Sequence, residues 1–256
     1  MSQIRYVVAS LPRSGTKYIA KVLTELGQHC GHERSFTAIG GSDEEGERST
    51  TAAGVVDRPD YPDVWGDASW FSAPLIEKLP PGTVVFHQLR DPLKVMNSNL
   101  PPGGDSYFRT WDENAGLKTD PLYDKSILYK RFIWESTQDW VWPSGVAEGP
   151  ESPEEIERLI HWWTNWNLWI EFSALKRSDL VYVRYPIENM NADLLHNIAN
   201  MIQPNIVPPS VEHCKKVLEK VSTTTNRHRT PNDKITYNML PPAARLLMHR
   251  YGYNPS

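Results

Sequence analysis

The chain has 256 residues, 39% of them hydrophobic and 23% charged, which is enough apolar material for one large α/β core with insertions; no second independent core is expected. A formal net charge of −4 excludes a general binder of nucleic acid or anionic membrane and confines any anion site to a local basic pocket. The two cysteines, Cys30 and Cys214, stand far apart and outside any CxxC spacing, so neither a disulfide framework nor a zinc site is indicated.

The N-terminus has no charged segment followed by an apolar one, and no run approaches the length of a membrane span, so a soluble, cytoplasmic protein is expected. Tyr6 to Leu11 is β-branched and apolar. Pro12 and Gly15 then punctuate the chain, and Ile19, Val22, Leu23 and Leu26 recur at helical spacing. The stretch reads as strand, tight loop, helix. At the head of that helix the first N–H groups lack intrahelical partners and the dipole is positive, which suits a phosphate or sulfonate. Arg13 adds a guanidinium, Ser14 and Thr16 add hydroxyls, and Lys17 adds an ammonium. The Walker A pattern GxxxxGK[ST] is absent because Gly15 is followed by Thr16, so classical ATP or GTP hydrolysis is not expected.

Residues 40–60, rich in Gly, Ser, Thr, Asp and Glu, read as an exposed loop. Gly82 to Asp91 reads as a buried strand ending in charge, and Pro92 opens a helix with Leu93, Val95 and Met96. Arg90 falls at the strand exit and Ser98 about two turns into the helix, so both reach toward one anion beside the first loop. In open α/β sheets this edge is where ligands bind.

These two elements resemble those of the sulfotransferases that use 3′-phosphoadenosine 5′-phosphosulfate (PAPS). In that family an RSGT or KSGT loop, here Arg13-Ser14-Gly15-Thr16, holds the 5′-phosphosulfate, and an Arg-(x)7-Ser element, here Arg90 and Ser98, holds the 3′-phosphate. The resemblance extends to Val181-Tyr182-Val183-Arg184-Tyr185, a core strand whose Tyr185 it puts near adenine, and to a terminal helix within Leu240 to Tyr253. It implies a three-layer α/β/α fold with a mostly parallel sheet, P-loop-like, over residues 1–256. Strands are expected near 4–10, 83–89 and 180–184. An aromatic-rich insertion of about residues 101–153 separates the second anion element from a helix of Ile156 to Ala174.

On that helix Trp162, Trp166 and Trp169 share a face and read as a stripe against the sheet, whereas Trp163 projects elsewhere and reads as a substrate contact. The basic loop after the helix of Val211 to Val221 offers Arg227 or Arg229 to the 3′-phosphate, although the family's GxxGxxK form is missing.

Sulfuryl transfer requires no metal, and the protein mainly positions the reactants and neutralises charge, by analogy with phosphoryl transfer. Arg13 and Lys17 are expected to stabilise the bridging and leaving oxygens. A general base must face the acceptor. The resemblance points first to Glu33, at the end of a short second strand, with His32 orienting or replacing it. Asp67 is the second candidate; it lies where the cytosolic branch has its histidine, but this chain reads Gly66-Asp67-Ala68-Ser69. His87, inside a strand, reads as a core histidine before it reads as a base. The expected acceptor is a small molecule or glycan with a hydroxyl or amine. A nucleotide or small-molecule kinase, or a non-catalytic nucleotide-binding protein, is the alternative.

Overall fold

The apolar run that opens the chain forms β1, Gln3–Ala9, at the centre of the sheet in a computed structural model that describes residues 3–33, 36–37, 54–55, 64–100, 153–222 and 234–254. The loop after β1 leads into α1, Thr16–Glu25, and the chain returns as β2, His29–His32. A small antiparallel pair, β3 (Phe36–Thr37) and β4 (Gly54–Val55), stands apart from the main sheet. There follow β5, Val64–Ser69, a 3₁₀ helix, Trp70–Lys78, β6, Val84–Leu89, and α2, Pro92–Ser98. The second half supplies α3, Pro153–Leu175, β7, Val181–Pro186, α4, Ala192–Ile202, α5, Val211–Ser222, and α6, Pro242–Arg250.

The main sheet runs β2-β5-β1-β6-β7 and all its pairings are parallel. Parallel strands covered on both faces need apolar side chains on both, which is why residues 6–9 of β1 and 84–86 of β6 are continuous apolar runs. Ile4, Val7 and Ala9 enter one apolar cluster, with α2, α3, α6 and the 3₁₀ helix. Tyr6 and Val8 enter the other, with α1, α4 and α5. Strict alternation would put Ile4 on the side of Tyr6; the register shift between Ile4 and Tyr6 re-phases the strand and keeps both inside. The result is an α/β architecture with helices on two apolar layers, the arrangement of a three-layer α/β/α fold.

The three expected strands are present, at 3–9, 84–89 and 181–186. β5 was not expected. Its Gly66 and Asp67 break an apolar pattern, but its place beside β1 depends on that glycine. A Cβ at Gly66 would lie 2.4 Å from the ring of Tyr6, which fills the space between the strands.

The tryptophan stripe on α3 is oriented as expected for Trp162 and Trp166, both fully buried, while Trp169 is only partly covered. The reading of Trp163 as a substrate contact is overturned: it is 1% exposed and meets Tyr251 edge-on, with ring centroids 6.2 Å apart. Between the 3₁₀ helix, α2 and α6, α3 is buried on more than one side, so a residue off the stripe also becomes core. Residues 101–152, the core of the expected insertion, and most of the 40–60 loop lie outside the described residues.

Gly66→Ala forces a methyl group into the Tyr6 ring, and overpacking of this kind costs about 1–3 kcal/mol. Urea unfolding should show a lowered midpoint, with m unchanged if only stability is affected.

Candidate functional site

The β1–α1 loop, residues 10–15, stands at the C-terminal edge of the sheet, and its shape follows from where its carbonyl oxygens go. Ser14 N–H donates to the Leu11 carbonyl at 3.2 Å, and Trp166 Nε1 of α3 donates to Ser10 at 3.3 Å. Gln88 Nε2 of β6 donates to the Ser14 carbonyl at 2.7 Å, and Arg90 Nη1 donates to that of Arg13. Holding those oxygens inward requires left-handed backbone at Gly15, φ 89°, and also at Arg13, φ 69°, where a side chain makes it costly by about 1–2 kcal/mol. The first N–H groups of α1 lack intrahelical acceptors. The helix has no side-chain cap and no acidic residue in its first turn. Lys17 is exposed on that turn, and Thr16, nearly buried, shares a 3.1 Å hydrogen bond with His32 Nε2.

The second element closes against the first. Asp91 caps α2, accepting from Leu93 N–H at 2.9 Å and Lys94 N–H at 3.3 Å. Asn97 fixes the helix to the segment before α6 through paired 2.8 Å bonds with the backbone of Ile235. Ser98 is thereby aimed at the loop, and its Oγ accepts from Arg13 Nε at 3.1 Å. Arg13, Ser14, Gly15, Thr16, Arg90 and Ser98 therefore form one group at one edge of the sheet.

Among the base candidates, Glu33 follows the last residue of β2 with a left-handed φ of 58°, and its Oε1 lies 3.7 Å from His32 Nε2. Both side chains are partly exposed at the open edge. Asp67 is 0% exposed, inside β5 between Val7 of β1 and Gly31 of β2. Burial, and then the nearby Asp67 carboxylate, hold the Cys30 thiol above its ordinary value, so it stays protonated.

His87 is a satisfied core histidine, as read from its strand. Asn167 commits its Nδ2 to the Trp163 carbonyl at 2.7 Å, which turns its Oδ1 to His87 Nε2 at 2.9 Å. Nε2 is then the protonated nitrogen, and Nδ1 accepts from the Tyr182 hydroxyl at 2.8 Å. Burial pushes the imidazole down to about 4.

Tyr185 is 3% exposed and donates to Gln88 Oε1 at 2.8 Å. It thus reaches the loop through Gln88, whose own amide holds the Ser14 carbonyl. Gln88 was missed in the sequence; the available signal was an amide beside His87 after an apolar run, next to the strand exit. Arg227 and Arg229 lie outside the described residues. No described helix is long and apolar enough to cross a membrane.

A scan against protein-family models and a search of curated proteins gave no match to the chain.

His87 also makes a stability prediction. Below an ordinary pKa of 6.5 the unfolded chain takes up a proton here that the folded protein refuses until about pH 4. Stability should fall as the pH drops through that window, by on the order of 3 kcal/mol, and level off beneath it. Urea midpoints of wild type and His87→Gln across pH 7 to 4 check this: the variant should lose that part of the pH dependence.

Proposed function

We propose that the chain is a PAPS-dependent sulfotransferase of P-loop-like fold, moving a sulfuryl group to a hydroxyl or amine of a small-molecule or glycan acceptor. The observation that carries the reading is the convergence of two elements 77 and 85 residues apart: Arg90 on the Arg13 carbonyl and Ser98 on the Arg13 guanidinium. An uncapped helix N-terminus beside them, at the C-terminal edge of a parallel sheet, supplies the electrostatics an anionic donor needs.

In this reading Thr16, Ser14 and the first N–H groups of α1 receive the 5′-phosphosulfate, and Arg90 with Ser98 receives the 3′-phosphate. The acceptor oxygen or nitrogen attacks sulfur in line. Its bond to sulfur forms as the bond from sulfur to the bridging phosphate oxygen breaks, and 3′-phosphoadenosine 5′-phosphate leaves. Arg13 and Lys17 neutralise the charge that develops on that leaving oxygen. The acceptor's proton passes to Glu33, whose place at the open edge is better suited to receive it than that of buried Asp67.

Calorimetry with 3′-phosphoadenosine 5′-phosphate, AMP and ATP tests the donor site. Wild type should prefer the 3′-phosphorylated nucleotide, and Arg90→Ala should weaken it by about tenfold or more, since a hydrogen bond to a charged group is at stake. Equal affinity for all three nucleotides would return the chain to the kinase or binding-protein alternatives. Once an acceptor is found with labelled PAPS, Glu33→Gln should keep donor affinity and lose about 10²-fold or more in turnover; wild-type turnover in that variant would move the base to Asp67 or His32.

A further inference from the structure

The Tyr251-Gly252-Tyr253 segment has no role in the reading above, yet it ends beside the Arg90 element. After α6 the chain reverses: Gly252, with φ +85°, donates to the His249 carbonyl at 2.9 Å, and Tyr253 N–H donates to that of Met248 at 3.0 Å. The turn sends the two tyrosines apart. Tyr251 goes into the core, where its hydroxyl donates to Glu171 Oε2 at 3.2 Å and its ring lies 4.7 Å beneath the Arg184 guanidinium. Arg184 and Arg250 also bind Glu171, so this end of the chain is firmly seated.

Tyr253 goes to the open edge of the sheet. Its hydroxyl donates to Glu188 Oε2 at 2.8 Å, and Glu188 Oε1 accepts the Asp91 backbone N–H at 2.9 Å. One carboxylate, just past β7, thus bridges the terminal turn and the residue that follows Arg90. Burial, and then the Glu188 charge, hold the Tyr253 phenol far above its ordinary value while Arg90 opposes that rise; the phenol remains a donor at any working pH and lies within the field of Arg90.

We propose that Tyr253 is a positioning residue for the Arg90 subsite, acting through Glu188 and the Asp91 backbone to set the direction in which Arg90 leaves the sheet. The proposal rests on reading Arg90 and Ser98 as the 3′-phosphate subsite. Its physical content is twofold. The bridge fixes the β6–α2 junction, and both oxygens of Glu188 are occupied by donors, which tempers a negative charge standing next to a phosphate. Losing the phenol hydroxyl loosens the first and unmasks the second. Both effects act first on the 3′-phosphate; the 5′ end feels Arg90 only through its bond to the Arg13 carbonyl.

The test is calorimetry of 3′-phosphoadenosine 5′-phosphate and AMP with the full chain as wild type, Tyr253→Phe, Glu188→Ala and Glu188→Gln. Tyr253→Phe should lower affinity for the 3′-phosphorylated nucleotide by about tenfold with a clearly smaller effect on AMP, and Glu188→Ala, which loses the bridge but also removes the charge, should lose less than Tyr253→Phe. Glu188→Gln keeps an acceptor for Asp91 N–H and should retain wild-type discrimination. The Asp91 amide, followed by hydrogen exchange, should lose protection in Tyr253→Phe. Undiminished discrimination in Tyr253→Phe, an equal loss for both nucleotides, or unchanged Asp91 protection would overturn the positioning role while leaving the donor reading in place. A wild type that does not distinguish the two nucleotides would overturn the donor reading and the subsite role with it.

Discussion

The inward turn of the β1–α1 loop is the constraint on which the open edge of the sheet depends. Donors from α3, from Gln88 of β6 and from Arg90 draw its carbonyl oxygens into the protein. A loop so held passes through left-handed backbone at Arg13 and Gly15, and its helix begins with N–H groups that no side chain caps. The strain at Arg13 is of the size of one or two ordinary hydrogen bonds, and bonds to a guanidinium or a buried amide are sufficient to offset it. Arg13 also sends its own guanidinium to Ser98, so the residue under strain is the one that joins the two anion elements.

That grip is only as firm as the strands behind it. β1 is central and buried on both faces, and its ends are registered against β5 and β6. Tyr6 spans the gap above Gly66 and donates to the His29 carbonyl at 2.9 Å, which ties β1 to β2 across β5. Thr16 then meets His32 at the far end of β2, so the strand that leads into Glu33 is linked to the head of α1 at its outer end and to β1 at its inner one. Gln88 does the same on the other side, joining Tyr185 of β7 to the loop through β6.

The electrostatics are focal. The chain as a whole is negative, yet Arg13 and Arg90 meet at one edge, at the head of α1, whose dipole adds to them and whose first turn carries Lys17. Two carboxylates close to Arg90 in the fold are engaged by hydrogen-bond donors: Asp91 by the first N–H groups of α2, with Lys94 Nζ 3.8 Å from its other oxygen, and Glu188 by the Asp91 N–H and the Tyr253 hydroxyl. Hydrogen bonds to backbone and phenol spread their charge without cancelling that of the arginine.

Local pattern carried much of this in the sequence. The strand-loop-helix of Tyr6 to Leu26, the strand ending at Arg90, and the Arg90 to Ser98 spacing are short-range signals, set by side-chain period and by turn residues, and they placed β1, α1, β6 and α2 correctly. The core role of His87 was legible too, because a histidine in an apolar strand must find partners there. Other features were not. β5 contains Gly66 and Asp67, which no strand period favours, and it exists because a ring from another strand fills the place of a side chain. Trp163 became core because α3 is covered on more than one side, which its own periodicity cannot express. Gln88, Glu188 and Tyr253 look unremarkable one at a time; their bonds span 74, 97 and 65 residues of chain. The sequence by itself determined the elements whose pattern is local, β1, α1, β6 and α2, and where charge gathers along them. Which carbonyl each donor reaches, and which carboxylate is masked, the tertiary structure alone decided, because such contacts depend on how strands distant in sequence are laid side by side.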